Sequence, residues 1–228
     1  MGAGLQLWAE DLRLLGWLHT LERDRKILLA LAADGFPEGL VIGASEEAGA
    51  MRDALSGLAT AVLNQEALDD ELAADYAAIY LTHAYRASPC ESVWRDEDHL
   101  AWQGPTFAVR AWYRRYGLAV ADWRTLPDDH LAYQLEFVAW LLEKDGAEAA
   151  ARFLDAHLLT WLPDFSCRVA QRAATPFYRA LADVTLAAVT GLRRELPTVE
   201  TGGEVPAVEH ATIEPLQFVA RDTWLAKP

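Results

Sequence analysis

Two acids and a histidine stand side by side in Leu126-Pro127-Asp128-Asp129-His130, directly before the apolar-periodic stretch Leu131 to Leu142. An aspartate beside a histidine favours the charged imidazole. Such a cluster suits acid–base catalysis, metal ligation or recognition of a cationic ligand. The same residues also have a plainer use. Carboxylates in a first helical turn face free backbone N–H groups and the positive end of the helix dipole. Asp128 reads as a helix-start residue on that ground, and Asp129 and His130 carry the chemical interest.

A catalytic reading needs a partner that the rest of the chain does not supply. There is no Gly-x-Ser-x-Gly elbow, no His-Glu-x-x-His and no glycine-rich phosphate loop ending in Lys-Ser/Thr. The six histidines, His19, His83, His99, His130, His157 and His210, are scattered singly. Asp96 and His99 are spaced to share a helix face and could in principle join Asp129 and His130 around a metal, but pairs of this kind arise by chance on any acidic surface. Cys90 lies in a loop beside Glu91 without a cationic neighbour to lower its pKa. No metal, no cofactor and no catalytic residue is expected.

The elements that must position these residues are helical almost throughout. Apolar residues recur at helical spacing from Leu5 to Ala33, with the charged stretch Glu22 to Lys26 as a break or a wet face. Asp34-Gly35-Phe36-Pro37 stops that pattern. Ser45 caps a segment running to about Leu68, and Asp69 to Tyr85 is a further helix. Ser88 to Ser92 is a loop. Gly104-Pro105 opens a helix that Gly117 ends, and Pro127 opens the helix of interest, which Gly146 ends. Ala147 to Leu162 follows, Pro163 interrupts, and Asp164 to Ala174 is short. Pro176 starts a last long helix that ends at Leu196-Pro197.

No β alternation of useful length is present. The expected fold is all-α, a single bundle-like globule of about eight to ten helices with no sheet. Residues 1–197 form its body. Residues 198–228 form an irregular tail, with Leu216, Phe218, Val219 and Trp224 available to pin it back.

Composition narrows the partners. With 20 Lys and Arg against 34 Asp and Glu, the net charge is −14. Such a body repels nucleic acid and anionic lipid and attracts basic ligands. Apolar runs are cut by charge well short of the ~18 residues of a bilayer span, so no membrane insertion is expected. Two cysteines without metal-ligand spacing and an N-terminus without a secretory pattern suit a reduced, cytoplasmic chain. Of the nine tryptophans, Trp94, Trp102, Trp112 and Trp123 fall between the Pro89 and Pro127 loops. An acidic, aromatic-rich surface between helices suits a peptide with cationic and apolar parts.

Three segments, in order and spacing, resemble the TorD/DmsD family of redox-enzyme maturation chaperones over roughly Tyr76 to Val189. The first is Tyr76-Ala77-Ala78-Ile79-Tyr80 leading to Pro89-Cys90-Glu91-Ser92-Val93-Trp94. The second is Leu126 to Leu131 followed by Gln134-Leu135-Glu136-Phe137-Val138-Ala139. The third is Phe153 to Leu158 with Trp161-Leu162 and Pro176-Phe177-Tyr178.

The resemblance implies an all-helical, non-enzymatic chaperone. It would bind the twin-arginine signal peptide and the apo form of a molybdenum-cofactor oxidoreductase of the dimethyl sulfoxide reductase type, as a monomer or homodimer, and assist cofactor loading before export. The family's Pro-x-Asp-His falls on Pro127, Asp129 and His130, and its peptide-binding loop on Glu91, Ser92 and Trp94; Tyr76 and Tyr80 complete the expected site. Asp129 is the expected carboxylate near the arginines, His130 orients the loop or donates a hydrogen bond, and Trp94 and Tyr80 line the apolar part of the groove. Leu126 stands where the family commonly has Glu. Three other functions stay open: assembly of a non-exported molybdoenzyme, a nucleotide-dependent switch, and an Asp-His hydrolase.

Overall fold

The structure, a computed structural model, describes residues 3–60, 65–121, 123–199 and 213–216. Ten α-helices occur among the described residues: α1 (Ala3–Leu18), α2 (Arg25–Ala33), α3 (Glu46–Thr60), α4 (Gln65–Tyr76), α5 (Glu91–Arg95), α6 (Gly104–Arg115), α7 (Leu131–Lys144), α8 (Ala147–Ala156), α9 (Leu162–Arg172) and α10 (Pro176–Glu195). A π-helical turn, Ala77–Leu81, continues α4, and a 3-10 turn, Leu158–Thr160, joins α8 to α9. No helix among the described residues is long and apolar enough to cross a membrane.

Local chemistry explains most of the boundaries. The Leu5–Ala33 pattern is two helices, because Asp24 caps α2 by accepting the Ile27 N–H at 2.8 Å. Ser45 caps α3 through the Ala48 N–H at 3.2 Å. Pro105, Pro163 and Pro176 each sit in a first helical turn, where a missing N–H costs nothing. Pro163 therefore opens α9 rather than interrupting a helix.

Two expectations need correction. The fold is not free of sheet. β1 (Leu118–Val120) pairs in parallel with β2 (Glu214–Leu216), Leu118 opposite Glu214 and Val120 opposite Leu216. Each strand has three residues, too few to show alternation in sequence. Leu216 is buried against the body; Phe218, Val219 and Trp224, the other expected anchors, lie outside the described residues.

The second correction concerns α7, which starts at Leu131 and not at Pro127. The Leu131 N–H donates to Pro89 O at 2.7 Å, and the Glu91 N–H to Asp129 O at 3.2 Å. Backbone groups engaged across the chain in this way cannot also serve a helical turn.

α7 is the centre of the core. Every residue from Leu131 to Leu142 except Trp140 is buried, so the helix is covered on all sides. α1 lies against it closely enough that a Cβ on Gly16 would stand 3.3 Å from Ala132 O. Arg13 locks the pair, donating to Glu136 at 2.9 Å and bidentately to Glu143. α10 packs on α1, α3 and α9.

The entry to α10 is held by a residue a hundred positions away. Asp75 is buried and accepts the Tyr85 O–H (2.8 Å), the Ala174 N–H (3.0 Å), and the Thr175 N–H and O–H (both 2.6 Å). The Thr175 side chain makes no capping bond of its own. Hydrogen bonds to a charged acceptor contribute about 1.5–3 kcal/mol, and each buried donor left unpaired costs about 1–3 kcal/mol. Asp75→Ala is therefore expected to lower stability by roughly 3 kcal/mol or more in urea denaturation, with the far-ultraviolet helical signal kept in buffer. An unchanged midpoint would exclude this role.

Candidate functional site

The Ser88–Ser92 segment and the Pro127–Leu131 turn are stitched together by an antiparallel bridge between Cys90 and His130. Side chains reinforce the seam. Asp129 is fully buried; its Oδ2 accepts the Ser92 N–H at 2.7 Å and its Oδ1 accepts the Thr106 O–H at 2.9 Å. One carboxylate thus ties the turn before α7 to the first turns of α5 and α6. Burial raises its pKa, and the bonds from Ser92 and Thr106 oppose that rise.

Asp128 forms the outer stitch. Arg110 on α6 donates Nε to Oδ1 at 3.0 Å and Nη2 to Oδ2 at 2.8 Å, a bidentate pair. The Tyr113 O–H donates to Asp128 O at 2.9 Å. The Arg110 guanidinium also lies 5.4 Å from the Phe107 ring and 5.2 Å from the exposed Trp123 ring.

Glu91 closes the seam from the other side. It is fully buried, and it accepts from His157 Nδ1 at 3.0 Å, Arg95 at 3.0 Å and Gln134 Nε2 at 3.1 Å. The same Gln134 nitrogen donates to Asp129 O at 2.9 Å. A polar residue inside the apolar α7 thereby serves both segments.

His130 is the N-cap of α7. Its Nδ1 accepts the Ala132 N–H at 3.2 Å, which sets the neutral Nε2–H tautomer. Burial, with nearby His83 adding to it, pushes its pKa down to about 3. Its ring faces Tyr80 at 6.5 Å. Tyr80 stacks on Tyr76 at 4.9 Å, and its hydroxyl meets His19 Nδ1 at 2.5 Å. Thr185 donates to Leu181 O at 2.7 Å and so accepts from His19 Nε2–H at 3.0 Å, which leaves His19 Nδ1 to accept from Tyr80. His19 is likewise held neutral, its pKa lowered to about 3 by burial and then by His130.

The eight sequence-predicted residues are therefore contiguous, but most of them face inward. Tyr76, Glu91, Ser92, Pro127, Asp129 and His130 are buried; Tyr80 and Trp94 are half-buried. Both Asp129 oxygens are occupied within the chain, a geometry that differs from the surface carboxylate expected of it. Trp94 is anchored by its Nε1–H to Ser88 O at 2.7 Å and forms a wall of a cavity of about 510 Å³. His83, Arg86, Val93, His99 and Arg168 complete the lining with Ser88. The sequence reading missed these as site residues, since they come from three separate stretches and carry no local motif.

The geometry does not support hydrolysis. Among the described residues no hydrogen bond joins the Asp129 and His130 side chains. Burial and the Asp129 charge push the Cys90 thiol well above its ordinary pKa, so it is not a thiolate. No group of three or more His, Cys, Asp or Glu suited to a metal occurs among the described residues.

Comparisons with known proteins fall on this region. The family model described as nitrate reductase delta subunit matches residues 45–166. The Tat proofreading chaperone DmsD of Salmonella typhi is 31% identical over 134 residues, 51% of this chain and 66% of that protein. The chaperone protein TorD of Vibrio vulnificus (strain YJ016) is 33% identical over 129 residues, 51% of this chain and 60% of its own length. The chaperone protein YcdY of Escherichia coli (strain K12) is 31% identical over 130 residues, 55% of this chain and 65% of its own length. The chain thus spans just under two thirds of the length of the relatives it matches.

The two neutral histidines give the fold a directional response to acid. Unfolded, each takes up a proton below about pH 6.5; folded, each resists protonation down to about 3. Their contribution is fully present above pH 6.5 and is lost as pH falls toward 3, by about 1.4 kcal/mol per pH unit for each ring. Asp129, with its raised pKa, acts in the opposite sense. His130→Asn keeps an N-cap acceptor and removes one titrating ring. Its urea midpoint is expected to fall less steeply than the wild type's between pH 6.5 and 4. Parallel curves would refute the assignment.

Proposed function

Because the chain belongs to the nitrate reductase delta subunit family that includes the TorD and DmsD chaperones, we propose that it is a cytoplasmic maturation chaperone rather than an enzyme. Its ligand is the twin-arginine signal peptide of a molybdenum-cofactor oxidoreductase of the dimethyl sulfoxide reductase type, held until the cofactor is loaded. The observation that carries this reading is the coincidence of the three resembling segments with one buried seam, which sets Trp94 in the wall of a cavity and packs Tyr80, half-buried, against His130. An aromatic wall on a rigid frame suits the apolar run of a leader peptide. Asp129 acts as a positioning residue: it sets the loop that carries Trp94 and does not itself meet the arginines.

A second reading has its own support in the matching family, the nitrate reductase delta subunit. A name that refers to a subunit of a reductase and not to a leader peptide also fits a factor that assembles a client which is not exported. The N-terminus of the client, read from the neighbouring gene or from a pull-down, separates the two.

The test uses the leader peptide of that client and the full chain in isothermal titration calorimetry. Trp94→Ala is expected to weaken binding by about tenfold or more, as an aromatic anchor does. Asp129→Asn is expected to bind nearly as well as wild type, because the amide still accepts from Ser92 and can donate to Thr106. Asp129→Ala orphans both donors and is expected to lose about 2–4 kcal/mol of stability. If Asp129→Asn keeps its melting temperature but loses roughly tenfold in affinity, the carboxylate touches the arginines and the positioning role is wrong. Lack of any leader-peptide binding by wild type would favour the assembly reading.

A further inference from the structure

The cavity beside Trp94 has a charge opposite to that of the protein. Its lining includes Arg86, Arg168, His83 and His99, and no carboxylate, in a chain of net charge −14. Arg86 and Arg168 form no ion pair among the described residues. Seven arginines elsewhere form ion pairs, Arg13, Arg25, Arg52, Arg95, Arg110, Arg152 and Arg193, and seven others among the described residues do not; what sets Arg86 and Arg168 apart is that they share one cavity whose lining has no carboxylate. Two guanidinium groups without counter-charges at one concavity make a site of positive potential that the surrounding acids do not quench.

Ser88 also lines the cavity but turns its polar atoms inward: it is 1% exposed, its carbonyl accepts the Trp94 Nε1–H at 2.7 Å and its hydroxyl serves the Cys90 thiol. The two histidines are pre-set by one nitrogen: His83 Nδ1 donates to Ile79 O at 3.2 Å and His99 Nδ1 to Val93 O at 2.9 Å.

The backbone around the cavity is held in an uncommon conformation. His83 (φ 52°), Arg86 (φ 54°) and His99 (φ 55°) are three of the four non-glycine residues with left-handed backbone among the described residues. Conformations of this kind cost of order 1–3 kcal/mol each and cluster where a loop is shaped around a ligand. The cavity's volume of about 510 Å³ lies in the range of small-ligand sites.

We propose that this cavity is an oxyanion site, in which a phosphate or carboxylate is held between Arg86 and Arg168 with the Trp94 ring covering it. The inference goes beyond the leader-peptide reading and does not depend on it, since the arginines of a leader would be repelled here. It also places the contact surface for those arginines away from the cavity interior.

The experiment follows the Trp94 indole N–H resonance of the full chain by ¹⁵N NMR, identified by its loss in Trp94→Phe. Inorganic phosphate is titrated in one arm and acetyl-leucyl-glutamyl amide in the other, with ionic strength matched by sodium chloride. A saturating shift at millimolar concentration is expected in at least one arm. Phosphate alone marks a free small anion; the dipeptide marks an acidic side chain of a partner. Arg86→Gln and Arg168→Gln should each weaken the response by about tenfold, and the double variant should abolish it.

A shift reproduced by sodium chloride alone, a response that survives in the double variant, or no response in either arm overturns the proposal. Leader-peptide titration of the same double variant keeps the two readings distinguishable: retained peptide binding with a lost anion response supports this site independently of the other.

Discussion

One buried carboxylate governs the geometry of the whole site. Asp129 has no exposed surface, and its two oxygens are divided between a backbone N–H of α5 and a hydroxyl of α6. Placing a charge in an apolar interior is costly unless its hydrogen-bonding capacity is met. Here it is met by two donors that would otherwise be orphaned in the same interior. The cost of burial is thereby turned into register: α5, α6 and the turn before α7 have one mutual arrangement that satisfies all three groups. Trp94 stands two residues beyond Ser92 and inherits that register. Glu91, one residue before Ser92, repeats the device towards α7 and α8 through Gln134 and His157.

The parts of this fold legible in sequence are those decided locally. α10 begins at Pro176 and ends before Pro197, where periodicity and proline agree, and α3 begins after Ser45, a standard N-cap. The same local logic misplaced the start of α7. Proline followed by two acids is a sound helix start taken alone, but the backbone of residues 129–131 is engaged by residues 89–91, and tertiary pairing overrides propensity. β1 and β2 were illegible because each is three residues long and their partners lie about a hundred positions apart. Asp75 was illegible for the same reason: nothing near it in sequence reveals that it secures the entry to α10. The candidate site divides likewise. Its frame residues lie in recognisable segments, whereas Arg86 and Arg168 meet only after folding.

Net charge proves a coarse guide to what this surface attracts. The value of −14 counts every acid alike, yet Asp11, Asp75, Glu91, Asp128, Asp129 and Glu136 are buried. All six serve internal donors: Asp11 the Val41 N–H, Asp75 the entry to α10, Glu91 His157 and Arg95, Asp128 Arg110, Asp129 Ser92 and Thr106, and Glu136 Arg13. Acids engaged in this way contribute little to the field met by an approaching ligand. The cavity beside Trp94, by contrast, is lined by Arg86 and Arg168 and by no carboxylate. An overall acidic composition and a locally cationic cavity are compatible because screening limits each charge to a range of about 8–10 Å.

The burial of the recognisable residues bears on how specificity is divided within the family. Pro127 to His130 builds the frame of the site, and buried hydrogen-bond networks tolerate few substitutions. On the proposed reading, discrimination between ligands falls to cavity residues outside the resembling segments, His83, Arg86, His99 and Arg168. Leu126 fits the same division. It is half-buried and packs against the core, at a position where the resemblance leads one to expect glutamate. An apolar residue there leaves the stitches of Asp128 and Asp129 intact, since neither depends on the residue before the proline.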